Sequence, residues 1–336
     1  MTPPALRPVL SHLLVPFLLG TGMALAYLGA FHQPSPHHLR VDVVGSSPQT
    51  RMFAQVLQDK LGDRVAIRTI STEAAAATRL SHQEISGAYV PDPQRPTLMV
   101  ASAASDTTAV TVERMFAPVA LAQDRPLAVR DVVATDRHDP TGQGIFFYLV
   151  ALTVGAYSAS IAIGVAGARL PMRVRAAIAV LAGGVVSLLC TLVAGPLYDA
   201  LPHHLPPIGL FSWLYTSAVV LLGVGLHTFL GRFTTATLVA LFVMLNFTSS
   251  GGVFAPALMP GFFASLHSFW IGAGLVDGGR KLLYFPQLAV RGDVAKVGLW
   301  FAAAVVTVIL AGLVERRRAV APVVSEDEIE ETVVAA

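Results

Sequence analysis

Six long stretches of this 336-residue chain contain no Asp, Glu, Lys or Arg: Val9 to Phe31, Gly144 to Val165, Ala176 to Leu197, Leu210 to Leu230, Thr234 to about Phe247, and Val297 to Val314. A helix needs about 20 apolar residues to cross the hydrocarbon core of a bilayer. A soluble domain buries only one face of each helix, so uninterrupted runs of this length point to a membrane bundle. Charged residues are 13% of the chain, about half the usual fraction of a soluble protein. The formal net charge of +2 carries no nucleic-acid footprint. The first run is longer than the 7 to 15 apolar residues of a signal peptide and ends in Gly29-Ala30-Phe31-His32 without a small-x-small cleavage site, so it reads as a true span.

Basic residues in short flanking loops orient spans, with the Lys/Arg excess on the cytoplasmic side. Arg7 precedes the first run, Arg169, Arg173 and Arg175 separate the second from the third, Arg232 separates the fourth from the fifth, and Arg316, Arg317 and Arg318 follow the last. The expected fold is an α-helical polytopic membrane protein of six transmembrane helices with both termini in the cytoplasm. Residues 1–8 form a short cytoplasmic N-terminus, 9–31 the first span, 32–143 an extracellular domain with its linkers, 144–314 a five-helix bundle, and 315–336 an acidic cytoplasmic tail. Residues 248–296 hold a further apolar run, Leu258 to Val276, which as a full span would make seven. The breakers Gly251-Gly252, Pro256, Pro260-Gly261 and Gly278-Gly279 favour a re-entrant hairpin of two short helices before the last span. Irregular backbone at membrane depth needs protein or a wet cavity around it, so this hairpin is expected inside the bundle.

Residues 32–143 hold eleven Lys/Arg and twelve Asp/Glu, a soluble-domain density, and alternate between strand and helix patterns. Strands are expected at Leu39 to Gly45, Val65 to Ile70, Ile85 to Val90, Thr97 to Ser102 and Leu127 to Ala134. Helices are expected at Pro48 to Gly62, Thr72 to Gln83, and from the cap Ser105 to about Ala122. The result is a small extracellular α/β domain, large enough to bury its own core.

Catalytic patterns are missing from the sequence: it has no glycine-rich phosphate loop, dinucleotide fingerprint, zinc-protease helix or nucleophile elbow. No ATPase motif is present, so the chain is not expected to be an enzyme, and no cofactor or metal is expected. His37-His38 and His203-His204 sit among prolines without a Cys or carboxylate cluster and read as solvated linker. The lone cysteine, Cys190, reads as packing. His227 and His267 fall in or near apolar runs, where a hydrogen-bonded neutral imidazole is the plain reading and function the sharper one. Ala156, Ser160, Gly164 and Ala168 form a small-residue stripe on the second span, suited to close helix packing within one protomer or across a dimer. Asn246, Thr248, Ser249, Ser250, Gly251 and Gly252, with Pro256 and Pro260 beyond, form a polar and flexible stretch after an apolar span. Its hydroxyls and amide either repair backbone bonds freed by the glycines or line a substrate path.

Three segments support a family resemblance. They are Gln83-Glu84-Ile85-Ser86-Gly87-Ala88-Tyr89-Val90-Pro91, then Asp139-Pro140-Thr141-Gly142-Gln143-Gly144 entering the second span, and Ser250-Gly251-Gly252-Val253-Phe254-Ala255-Pro256-Ala257-Leu258-Met259-Pro260-Gly261 followed by Gly279-Arg280-Lys281. With the layout of one span, an outer α/β domain and five clustered spans, the chain resembles the permease subunits of type-2 ABC exporters. It is most similar to YhgE/Pip-like and fungal nitrosoguanidine-resistance-like membrane proteins. The resemblance implies a multi-pass plasma-membrane protein, surrounded by membrane lipid and dimeric (homo- or hetero-), exporting a lipid-like, amphipathic or drug-like substrate. Any ATP hydrolysis would come from a separate ATPase subunit, with Arg169, Arg173 and Arg175 as possible cytoplasmic contacts, although Gly167 to Arg175 is short for a coupling helix. The alternative is a non-transporting cell-surface binding or secretion-accessory protein acting through its extracellular domain.

Overall fold

The computed structural model describes residues 6–201 and 204–320. His203 and the acidic tail from Ser325 lie outside the described residues. The architecture is a mostly helical body with a small α/β domain.

Helix α1 (Leu6–Phe31) leads into β1 (Leu39–Val44), α2 (Pro48–Leu61), β2 (Val65–Ile70), α3 (Glu73–Ser81), β3 (Gly87–Val90), β4 (Thr97–Val100), α4 (Asp106–Leu121) and β5 (Ala128–Asp131). The sheet order is β2-β1-β3-β4-β5. β1 lies parallel to β2 and β3, with Val41 opposite both Ile67 and Gly87. β4 runs antiparallel to β3 and parallel to β5. Period-two alternation sends Leu39, Val41 and Val43 to one face, where they meet Leu57 of α2 and Phe116 of α4. The other face packs Met99 and Ala88 against Ala76 and Leu80 of α3. The hydroxyls of Ser47, Thr72 and Ser105 cap α2, α3 and α4 by accepting the backbone N–H three residues on. Gly62 ends α2 at φ 59, a conformation that suits glycine.

The bundle comprises α5 (Gly144–Ala166), α6 (Met172–Leu192) with a π-helical end to Leu197, α7 (Leu205–Leu230), α8 (Thr234–Leu238) with a π-helical run Val239–Leu245, α9 (Asn246–Ser249), α10 (Gly261–His267), α11 (Ile271–Tyr284) and α12 (Arg291–Val320). Among the described residues, five helices are long and apolar enough to cross a membrane: Leu13–Phe31, Gly144–Ala166, Met172–Leu197, Leu205–Ser249 and Arg291–Arg318. Large apolar side chains such as Phe17, Leu25, Leu181, Leu189, Leu299 and Ile309 lie exposed on them, as a lipid-facing surface would require.

The fourth of these doubles back. At Gly231 (φ 51) the chain reverses, so that Asn246 Nδ2 donates to Tyr215 Oη at 3.0 Å and Gly223 lies against Leu238. The expected runs Leu210–Leu230 and Thr234–Phe247 are the two antiparallel arms of this hairpin. The expected run Leu258–Val276 is broken instead into α10 and α11, of 7 and 14 residues. At ~1.5 Å per residue, neither reaches the ~30 Å hydrocarbon thickness.

Candidate functional site

Between Ser249 and α10 the backbone leaves helical geometry, and four polar side chains mark the departure. Asn246, Thr248, Ser249 and Ser250 are completely buried. The Thr248 hydroxyl donates to the Met244 carbonyl at 2.6 Å, Ser249 to Leu245 at 2.7 Å and Ser250 to Phe247 at 3.0 Å. Ser250 Oγ also accepts the Gly252 N–H at 3.1 Å. In this conformation the three hydroxyls bond back to carbonyls of the preceding turn.

Asn246 reaches across the bundle. Its Oδ1 accepts the Gly272 N–H at 2.8 Å, while Nδ2 donates to Tyr215 Oη, which in turn sits 2.6 Å from Thr153 Oγ1. One polar thread therefore ties α5, α7, α9 and α11. Gly272 permits it, since a Cβ there would overlap the Asn246 amide.

The glycine turn is held from below by α11. Arg280, buried, donates through Nη1 to the Gly251 carbonyl at 2.7 Å and through Nη2 to the Gly252 carbonyl at 3.0 Å. His267 at the end of α10 places Nδ1 2.9 Å from the Ser249 carbonyl and Nε2 3.0 Å from Asp277 Oδ2. Lys296 of α12 stands 3.8 Å from the same Asp277 oxygen and donates to the His267 carbonyl at 3.2 Å. Gly251 has φ 81 and sits on the His267 ring, where a Cβ would come within 2.8 Å of Cε1. A Cβ on Gly252 would overlap the Phe146 ring. On the other side of α11, Lys281 pairs with Asp293 at 2.7 Å.

A cavity of about 200 Å³ opens above this cluster. Asp277 and Arg280 line it from below, Gln83, Ser105 and Thr108 from the α/β domain, and Pro256 from the turn. The turn is also the joint between domain and bundle. Leu258 is buried in the α/β core with Phe254 and Ala257 against it. The Thr107 hydroxyl donates to the Val253 carbonyl at 2.9 Å, and the His37 N–H to the Ala257 carbonyl at 2.8 Å. Pro260 precedes α10, and Met259 packs with Phe263 and Ala30 of α1.

The remaining expected residues divide. Ala156, Ser160 and Gly164 are buried, with Gly223 packed on Ser160 and His227 on Gly164, so this stripe seats α7 within the protomer. Ala168 lies past the end of α5 and is exposed, which removes it from the stripe. Arg169 and Arg173 are exposed. Arg175 is not available to a partner: it is buried, gripping Glu315 of α12, which also accepts from Thr228 at 2.7 Å. A guanidinium without solvent takes the nearest carboxylate, so its topogenic position hid a structural role. Asp277, Arg280 and Lys296 emerge as site residues only in the fold. The available signals were Asp277, the acidic residue that closes the apolar run Leu258 to Val276, and Arg280, which stands in the segment Gly279-Arg280-Lys281.

Compared with known protein families, with curated proteins and with solved structures, the chain matches none.

Proposed function

We propose that the chain is a membrane-spanning, permease-like subunit that exports a lipid-like, amphipathic or drug-like substrate, as the resemblance to type-2 ABC exporters and YhgE/Pip-like proteins implies. The observation that carries this reading is the Ser250–Pro260 segment. Here non-helical backbone enters the packed bundle beneath the α/β domain and is held by a buried guanidinium on two glycine carbonyls. Broken helices with backbone groups satisfied by protein are how transport proteins build paths and gates at membrane depth. In this conformation the hydroxyls of Thr248, Ser249 and Ser250 face backbone, so the path is shut, with the α10–α11 hairpin as its plug.

Six spans with both termini in the cytoplasm accord with the doubled-back α7–α9 segment and with Arg169, Arg173 and Arg232 falling between arms. The α/β domain then lies outside a plasma membrane. Two apolar grooves of about 600 and 510 Å³ flank Trp213, lined by Leu181, Leu188 and Leu210 on one side and by Leu214, Val294 and Phe301 on the other. They would accept acyl or aromatic substrate parts. A dimer, and a separate ATPase meeting Arg169 and Arg173, complete the proposal.

Gly251→Leu and Gly252→Leu are the test. Both should reach the membrane in normal amount and lose at least about tenfold in export rate, since one side chain would strike His267 and the other Phe146. Normal export from either overturns the gating role. A second reading, a surface-binding protein, rests on a cavity of about 420 Å³ on the α/β domain lined by Phe53, Tyr89, Asp92 and Arg125.

A further inference from the structure

The hydrogen-bond geometry of His267 demands one more proton than a neutral imidazole beside a carboxylate supplies. Nδ1 lies 2.9 Å from the Ser249 carbonyl oxygen, which can only accept, so Nδ1 carries a proton. In a neutral ring, Nε2 would then be a bare lone pair facing Asp277 Oδ2 at 3.0 Å. Two acceptors do not hold that distance, so a second proton lies between them, whether the imidazolium or the carboxylic acid is the better description.

The surroundings fit a site that takes up and releases this proton. Lys296 approaches the same Asp277 oxygen at 3.8 Å from α12. Arg280, one turn along α11, is committed to the glycine carbonyls, and Tyr284 and Asp139 stand beyond it. Helix α9 meets His267 through the Ser249 carbonyl. The Asp277 side chain keeps 27% of its surface exposed and lines the cavity beneath the α/β domain. The cavity gives a proton a route to Asp277 from that side.

We propose that His267 and Asp277 form a proton-binding latch, loaded through the cavity between the α/β domain and the bundle, that holds the Gly251–Pro260 segment shut. With the shared proton present, His267 ties α11 to the Ser249 carbonyl and supports the Gly251 turn. When it leaves, Nε2 and Oδ2 repel, the ring turns away, and the Ser249 carbonyl loses its donor. The closed state binds the proton, so the latch is strongest at low pH and weakens as pH rises. The inference rests on the permease reading for its use, since it makes substrate movement proton-dependent, but the latch itself is measurable without transport.

Hydrogen exchange on the full-length protein in lipid nanodiscs tests it, expressed as protection of the amides of residues 249–256 so that the intrinsic pH dependence of exchange cancels. From about pH 5 to about pH 9, wild-type protection should fall at least about tenfold. Asp277→Asn should stay protected throughout, because the introduced side-chain amide can donate to Nε2 of a neutral imidazole and no extra proton is needed. His267→Ala should be unprotected at both ends of the range. Wild-type protection that is flat with pH, or an Asp277→Asn profile that follows the wild type, overturns the latch. Flux of a fluorescent phosphatidylethanolamine from proteoliposomes is a separate arm. Its absence in the wild type would count against the permease reading while the exchange profile still decides the latch.

Discussion

Asp42 shows what a single charge costs in the α/β domain. It sits on the interior strand β1, almost fully buried, and accepts from Arg79 Nη1 of α3 at 2.6 Å. Burial pushes its carboxyl above the ordinary carboxylate range, and the Arg79 guanidinium pulls it back only in part. Arg79→Met would leave the carboxylate buried and unpaired. Breaking a buried pair costs about 3 to 5 kcal/mol, and the low end applies because Arg79 is 27% exposed. A carboxyl whose folded pKa is raised penalises the folded state where both states would be ionised, and the penalty vanishes once both are protonated. The Arg79→Met defect should therefore be largest at neutral pH and shrink as pH falls into the ordinary carboxylate range. Exchange protection of the β1 amides in the full chain, measured against pH, reads this directly. A defect that is constant with pH would mean lost packing of the Arg79 stem rather than a stranded charge. The same chemistry explains why the site charges were illegible in one dimension. Arg280 and Lys296 stand in the sequence as two more basic residues, and only the fold shows that one holds two carbonyls and the other faces Asp277.

At the scale of elements, what was legible followed from local pattern. The strands and helices of the α/β domain lie within a few residues of their expected ends because alternation, helical spacing and the cap Ser105 agree with one another. The turn at Gly231 was legible from Arg232 and the charge-free runs on either side. The π-helical run Val239–Leu245 was not, since apolar composition is the same for either helical period. Nor was the pairing of α7 with α9, which depends on the thread from Thr153 through Tyr215 to Asn246. Tyr215→Phe removes the acceptor of the Asn246 amide, while Thr153 keeps its bond to the Leu149 carbonyl at 2.6 Å. Interhelical hydrogen bonds in membranes contribute about 0.5 to 2 kcal/mol, so a fall of a few degrees in the melting midpoint in detergent is expected. Asn246→Leu should cost more, because it strands the Gly272 N–H and forces a branched side chain against Gly272. If Tyr215→Phe proves the more damaging of the two, the thread is not what joins the helices.

At the scale of the whole molecule, one short segment is anchored in both the α/β domain and the bundle. Leu258 is buried within the core of the α/β domain, while earlier in the same segment the Gly252 carbonyl is held by Arg280 of the bundle. Movement of the domain therefore pulls on the turn, and movement of the turn pulls on the domain. Deleting residues 40–134 is the obvious way to ask whether the domain or the bundle does the work. It would also strip the cover from Phe254, Ala257 and Leu258, so loss of export after deletion would not distinguish the two. A point substitution at the joint does. Leu258→Asp places a carboxylate where only apolar side chains can receive it, so the segment should leave the α/β core while both folded parts persist. Burying such a leucine is worth about 2 to 5 kcal/mol by truncation, enough to shift a docked domain to an undocked one. Exchange should then rise at Val253 to Met259 and along α4, with the β1 amides still protected. If the turn is the gate of an exporter, the unseated variant should leak or lose substrate selectivity. If the α/β domain acts alone as a binding module, binding at its Phe53 to Arg125 cavity should survive Leu258→Asp unchanged. An undocked protein with unaltered export would separate the domain from the gate and leave the bundle as the sole transport unit.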